Sequence, residues 1–393
     1  MKIAIIDADL IQNINKHRFP NLACMKISGY YKELGNEVIL KLDYIDLENY
    51  DKVFISKVFT ETIVNKDILK LSNVEYGGTG FFYDLAIPLI DEIEHYMPDY
   101  HLYDEWVNTR LEKGDKRKSM EYYLDYSIGF TTRGCMRGCS FCVNKNSKQS
   151  LVHSCISEFL DSDRKYICML DDNVLASKDW KKIFDDLIKT KKRFQYKQGL
   201  DERLLTKEKC DYLFNKSKWL GDYIFAFDNI KDKDIIIEKL KLIREYTSKK
   251  NIKFYVFTGY NHENINDYSG DFYEKDIEEL FERIKILSHY KCHPYIMRYI
   301  DVWEAPFPYK NIYTTVSGWC NQPVFFSSMT LKEFSIAKGM KGSLWKEWVN
   351  KYEEYKYKKG VSWLAYEKLM EIQPSVREYY DFKGFSDSVR KTE

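Results

Sequence analysis

The stretch YSIGFTTRGCMRGCSFC, residues 126–142, decides how the rest of the chain is read. A strand-like run, Tyr126 to Thr132, opens into a loop that carries Cys135, Cys139 and Cys142 within eight residues. Three thiolates on one loop can serve one metal centre. Iron–sulfur clusters are normally held by four cysteines, so a set of three leaves one iron open to another ligand. The competing reading is a zinc knuckle, which needs a fourth ligand such as Cys155, His153 or Cys168. Zinc sites more often pair two short-spaced couples, and the sequence offers no second couple, so the spacing favours a cluster. Gly134 and Gly138 fit a loop that folds tightly around such a centre.

Outward from this loop the chain alternates apolar runs with charged amphipathic stretches. Strands are predicted at Ser127–Thr131, Tyr166–Leu170, Phe194–Gln198, Tyr223–Phe227, Phe254–Thr258 and Tyr295–Tyr299, with helices such as Asp232–Thr247 and Glu274–His289 between them. Six βα units in series predict a parallel partial barrel, whose chemistry lies at the C-terminal ends of its strands. Chemically interesting residues fall at those ends. They are the cysteines, then Asp171-Asp172-Asn173, Gln198 to Arg203, Asp228-Asn229, Gly259-Tyr260-Asn261 and Met297-Arg298.

Before the barrel, Lys2–Asp7, Glu37–Leu42 and Lys52–Ser56 read as strands around a helix from Pro20 to Leu34, a βαβ layout that predicts a Rossmann-like sheet. Gly77-Gly78-Thr79-Gly80 is either a turn or a phosphate cradle. His101 to Glu121, with Lys113, Lys116, Arg117 and Lys118, is charged and aperiodic and reads as a linker. Beyond Trp303, Tyr313 to Phe326 reads as irregular, and Leu344 to Tyr380 as largely helical. Trp345, Trp348, Tyr352 and Tyr355 in that tail, flanked by lysines, form either an RNA-binding stripe or a packed helix face.

Length and composition bound the remaining choices. A chain of 393 residues predicts two or three domains, and 44% hydrophobic with 16% aromatic residues can bury a large core. Lys plus Arg (61) balances Asp plus Glu (60), so no global basic charge points to nucleic acid. No run of about 18 apolar residues appears, and the first residues lack a secretion-type stretch, so a cytoplasmic protein without a membrane partner is expected. Nine cysteines, three clustered and six scattered, do not read as a disulfide framework. Cys292 and Cys320 are expected to be buried structural thiols.

The Cys-x3-Cys-x2-Cys spacing, with Phe141 before the last cysteine, after the first strand of a βα series, resembles the radical S-adenosylmethionine (radical SAM) superfamily. That resemblance implies a [4Fe-4S] cluster on Cys135, Cys139 and Cys142, with S-adenosyl-L-methionine on the open iron and reductive cleavage to a 5′-deoxyadenosyl radical. It places Phe141 near the adenine. It also implies cofactor contacts at Asp171, Asp172 and Asn173, which alternatively cap a helix. Gln198 and Arg203 lie in a run similar to a third-strand motif of members with an N-terminal cobalamin-binding-like domain; Arg203 either grips an anion or pairs with Asp201 or Glu202. Asp228, Gly259 and Asn261 are further candidates, and Arg298 faces the cavity or pairs inside the barrel.

The N-terminal domain is similar to the cobalamin-binding module but lacks its Asp-x-His-x-x-Gly pattern, the nearest string being Asp99 to Asp104, so cobalamin is not expected. Only Cys24 stands where methylthiotransferase relatives carry a second cluster. The resulting expectation is an α/β chain with a Rossmann-like domain (1–100), a linker (101–122), a radical SAM partial (β/α)6 barrel (123–302) and a mostly helical extension (303–393). Its implied partners are S-adenosylmethionine, an electron donor such as flavodoxin or ferredoxin, and a substrate that is RNA, a peptide or a small molecule. The alternative is a zinc-containing RNA-binding module.

Overall fold

The computed structural model describes residues 1–248, 251–338, 360–373 and 382–385. It is an α/β protein whose sheets of three or more strands are parallel throughout. The N-terminal sheet contains β1 (Lys2–Asp7), β2 (Glu37–Leu40), β3 (Lys52–Ser56) and β4 (Val74–Gly77) in the order β2-β1-β3-β4. Strand alternation explains why β1 is apolar at nearly every position. Ile3 and Ile5 enter one core with Cys24, Met25 and Ile27 of the helix Leu22–Glu33, whereas Ala4 and Ile6 enter the opposite core with Val53 and Ile55. Each buried isoleucine contributes about 1.5–3 kcal/mol.

The stretch expected as a linker is packed structure. The helix Asp104–Glu112 places Trp106 and Val107, with Tyr103, Met120 and Tyr123, in the same core as Ile3 and Ile5. Lys113, Lys116, Arg117 and Lys118 remain outside, so charge on one side hid an apolar contact on the other.

The glycine-rich turn after β4 is a packing device. A Cβ at Gly78 would lie 2.3 Å from the Lys57 carbonyl oxygen, and one at Gly80 would lie 2.7 Å from that of Phe59. Both glycines let the turn close on the end of β3.

All six strands of the later series are present. They are β5 (Tyr126–Gly129), β8 (Tyr166–Met169), β9 (Arg193–Tyr196), β10 (Tyr223–Ala226), β11 (Ile252–Thr258) and β12 (His293–Arg298). They hydrogen-bond as two three-stranded sheets, β5-β8-β9 and β10-β11-β12. The chain divides between these sheets. One compact unit holds Met1–Gln198 with Ser217–Leu220, and the other holds Gly199–Lys216 with the described residues from Gly221 onward. Between β5 and β8 a two-residue antiparallel ladder joins β6 (Thr132–Arg133) to β7 (Leu151–Val152).

The segment expected to be irregular, Tyr313 to Phe326, is helical, in Tyr309–Cys320 and Pro323–Ser328. Ile312, Tyr313, Val316, Trp319 and Cys320 are all buried, so little of a polar face remains to mark the helical period. Asn321 then ties this helix end to β12, accepting from Ile296 N–H at 2.6 Å and donating to its carbonyl at 2.9 Å. Cys292 and Cys320 are buried, as expected. In the tail, Val361–Ile372 is helical, and Trp345, Trp348, Tyr352 and Tyr355 lie outside the described residues. Among the described residues no helix is long and apolar enough to cross a membrane.

Candidate metal centre

The β6–β7 ladder closes residues 134–150 into a loop at the C-terminal end of β5. Inside it the chain turns repeatedly. Cys142 N–H donates to the Cys139 carbonyl at 3.0 Å, Lys145 N–H to Cys142 at 3.1 Å, and Ser147 N–H to Asn144 at 3.0 Å. Gly134 has φ +88°, and a Cβ there would lie 2.4 Å from both Gln149 O and Ser147 Oγ. Only glycine fits that close return. The Ser147 hydroxyl accepts from Cys135 N–H at 3.2 Å.

Of the three residues that follow β8, Asp171 holds the chain leading into this loop, and Asp172 and Asn173 reach the loop itself. Asp171, 2% exposed, accepts from the backbone and hydroxyl groups of Thr131 and Thr132, four donors at 2.5–3.1 Å. Burial pushes its carboxyl above the ordinary range, against the pull of those donors. Asp172 accepts from Gly134 N–H and from Asn144 Nδ2, both at 2.7 Å. Asn173 Nδ2 donates to Cys135 Sγ at 3.4 Å, and Asn144 N–H donates to Cys142 Sγ at the same distance. Asn173 makes no side-chain cap on the turn Val174–Ala176 that follows it, so the capping alternative is not realised.

Three further contacts, from Tyr83 and Asp84, hold the loop from the N-terminal side. Tyr83 donates to the Phe141 carbonyl at 2.5 Å, while Asp84 pairs with Lys145 at 3.1 Å and accepts from Asn146 at 3.0 Å. Behind the ladder, Glu94 Oε1 receives Lys26 at 2.9 Å, Arg133 at 3.1 Å and His153 Nε2 at 2.9 Å. Burial pushes the Glu94 carboxyl up, but the His153 hydrogen bond with the charges of Lys26 and Arg133 outweighs it and holds the group at about 2.

The donor set tests which metal fits. Among the described residues, no group of three or more His, Cys, Asp or Glu side chains converges to hold a metal ion, and the three cysteine sulfurs form no such group. A tetrahedral zinc needs sulfurs about 3.8 Å apart around bonds of roughly 2.3 Å. The zinc candidates for a fourth ligand are also elsewhere. His153 is bound to Glu94, Cys168 is buried in the core of the β5–β8 pair, and Cys155 is exposed on the turn Ile156–Glu158. A cluster spreads its cysteines over several irons, and N–H groups directed at sulfur are the contacts that tune such centres. The loop carries Arg137, Lys145 and Lys148 and no acid, which suits thiolate ligands. The three cysteines, with the N–H groups directed at Cys135 and Cys142, are the residues that an iron–sulfur cluster would use.

The second unit contains the other candidates. Arg203 is held between Asp201 at 2.8 Å and Asp232 at 2.7 Å, so its fork is already neutralised. Asp228 accepts from Phe257 N–H at 3.1 Å, and desolvation pushes its carboxyl up to about 6. Gly259, at φ +78°, donates its N–H to Asp276 at 2.8 Å. Asn261 folds its own loop, accepting from Glu263 and Asn264 N–H groups and donating to the Asp267 carbonyl. Arg298 donates to Thr314 Oγ1 at 2.8 Å and lies 4.1 Å from the centre of the Trp303 ring. Gln198, in the first unit, is exposed.

Neither a scan against protein-family models nor a search of curated proteins finds a match to this chain. Several residues escaped sequence reasoning. Thr131, Thr132 and Asn144 carried no signal beyond closeness to the cysteines, and Glu94 lies far from them in sequence. Asp276, which gathers Thr258, Gly259 and Tyr313 at 2.6–2.8 Å, was detectable only as an acid on the buried face of the helix Gly270–His289.

Proposed function

We propose that this chain is a radical SAM enzyme, built from an N-terminal Rossmann-like domain and a partial (β/α)6 barrel. The observation that carries the reading is the closed cysteine loop at the end of β5, in which side-chain and backbone N–H groups are directed at the sulfurs of Cys135 and Cys142. Cys135, Cys139 and Cys142 would hold a [4Fe-4S] cluster. When bound, that cluster supplies the electron that cleaves S-adenosylmethionine to methionine and a 5′-deoxyadenosyl radical, which abstracts hydrogen from the substrate.

The chain's own residues have simpler tasks. Asp171 and Asp172 fix both the approach to the loop and its interior. Asn173 and the Asn144 N–H donate to ligand sulfurs, stabilising the more negative state of the centre. The six parallel strands in series support the barrel reading, and the four-stranded parallel sheet supports the Rossmann-like one. The reaction requires an electron donor such as flavodoxin or ferredoxin.

The test is anaerobic purification followed by reconstitution with iron and sulfide. The expected result is visible charge-transfer absorbance, a reducible paramagnetic centre, and 5′-deoxyadenosine formed from S-adenosylmethionine under reduction. All three are lost in Cys135→Ala, Cys139→Ala and Cys142→Ala. Zinc without iron or acid-labile sulfide in the anaerobic protein would replace this reading with the zinc module.

A further inference from the structure

Arg298, near the end of β12, is half-buried, yet it has no carboxylate partner among the described residues. Asp301 and Glu304, close to it in sequence, make no ion pair with it. Of its five N–H donors, one is used, by Thr314 Oγ1. A second cation approaches the same threonine, since Lys338 Nζ lies 3.5 Å from the Thr314 carbonyl oxygen. It lies over Gly318, where a Cβ would be 3.0 Å from the ammonium and 3.3 Å from the Phe334 ring. Partial desolvation of this otherwise exposed side chain and the Arg298 charge both lower the proton affinity of Lys338. Two cations thus approach one residue, one at its hydroxyl and one at its carbonyl, and neither is paired with an acid among the described residues.

We propose that Arg298 and Lys338, both held by Thr314, form a binding site for the dianion of an organic phosphate monoester. Charge decides between anions. A phosphate carries about −1.5 to −2 near neutral pH and three acceptor oxygens, which match two cations and the unused N–H donors of a guanidinium fork, whereas a carboxylate neutralises only one. The Thr314 hydroxyl, which donates to the Lys310 carbonyl at 2.8 Å, orients Arg298 and is not itself a donor to the ligand. The surroundings favour an ester with an organic part. Met297, Ile300, Trp303 and Phe307 expose apolar surface nearby in sequence, and Trp303, 46% exposed, carries the Arg298 guanidinium on its ring. The site concerns no cysteine and needs no iron. That its ligand is the substrate of a radical reaction rests on the function proposed above.

Titration of the full-length protein with phenyl phosphate, followed by phosphorus NMR and calorimetry, tests the site directly. Saturable binding is expected, weakened by salt, with benzoate and inorganic phosphate each binding more weakly. Arg298→Ala and Lys338→Gln are each expected to weaken phenyl phosphate by about tenfold or more, with Arg298→Lys between them and the wild type. Lys241→Gln, on an exposed position of another helix, controls for general charge. Should Arg298→Ala fail to fold, the exposed Lys338 variant carries the same test. Absence of saturable binding, unchanged affinity in the Lys338 variant, benzoate binding as tightly as phenyl phosphate, or displacement of the probe by S-adenosylmethionine would each overturn the assignment. Because binding is read without iron, its failure leaves the cluster assay intact, and failure of the cluster assay leaves this result intact.

Discussion

Glu94→Gln is the most informative single change in the N-terminal unit. Glu94, 7% exposed, places one carboxylate oxygen against Lys26, Arg133 and His153, and so joins the helix Leu22–Glu33 to the ladder that closes the cysteine loop. A carboxyl held at about 2 instead of its ordinary 4.5 contributes about 3 kcal/mol at neutral pH, at roughly 1.4 kcal/mol per pH unit. Because the folded value is lowered, that stability is fully present above about pH 4.5 and is lost as the pH falls towards 2. The amide keeps the shape and one acceptor but leaves the buried Lys26 without its counter-ion, a change that typically costs about 3–5 kcal/mol. Hydrogen exchange by mass spectrometry over peptides from β1, β6 and β7 reads this unit separately from the other. The expected result is faster exchange equivalent to about 3 kcal/mol at pH 7, shrinking as the pH is lowered below 4.5. A loss under about 1 kcal/mol, or the same acid dependence in variant and wild type, would refute the reasoning.

Two other changes probe different terms. Asp7→Asn tests the opposite pH sign. Burial at the end of β1 pushes the Asp7 carboxyl up to about 7, so the native state holds a proton that the unfolded chain releases near 4. Wild-type stability, from urea midpoints of the same unit, is expected to fall by up to about 4 kcal/mol between pH 4 and 7. The variant keeps the acceptor for Leu10 N–H and loses that slope; parallel curves would contradict the assignment. Gly259→Ala places a methyl 2.0 Å from Val302 Cγ2 at φ +78°, and is expected to lower stability by about 2–5 kcal/mol in thermal or urea unfolding. Adding Val302→Ala relieves the clash but not the backbone strain, so a double variant no more stable than Gly259→Ala would remove the clash from the account.

The parallel strands were legible because each is a short apolar run between charged stretches. KIAIID matches β1 residue for residue, and the six later strands fall within two residues of their expected ends. Elements whose apolar face had no contrasting pattern were not legible. Tyr309–Cys320 is buried along much of its length and β-branched in part, so it offered neither a polar stripe nor strong helix formers. At the candidate site, sequence identified the residue types but not their partners. Asp171, Asp172 and Asn173 are polar residues after a strand, whichever ligand they serve. Their commitment to Thr131, Thr132, Gly134, Asn144 and Cys135 depends on β8 lying beside β5. Arg203 and Arg298 look alike in sequence. Only folding brings Asp232 to the first and no acid among the described residues to the second.

The closed cysteine loop also bears on chain entropy. Fixing the backbone costs about 1–2 kcal/mol for each residue, and residues 134–150 would carry that cost at the moment of metal capture if they were loose. The β6–β7 ladder, the two aspartates and the Ser147 contact order them as the sheet forms. The three sulfurs form no metal-holding group as they stand, so a metal centre arriving there would have to draw the cysteine side chains together, but would not have to order the backbone that carries them.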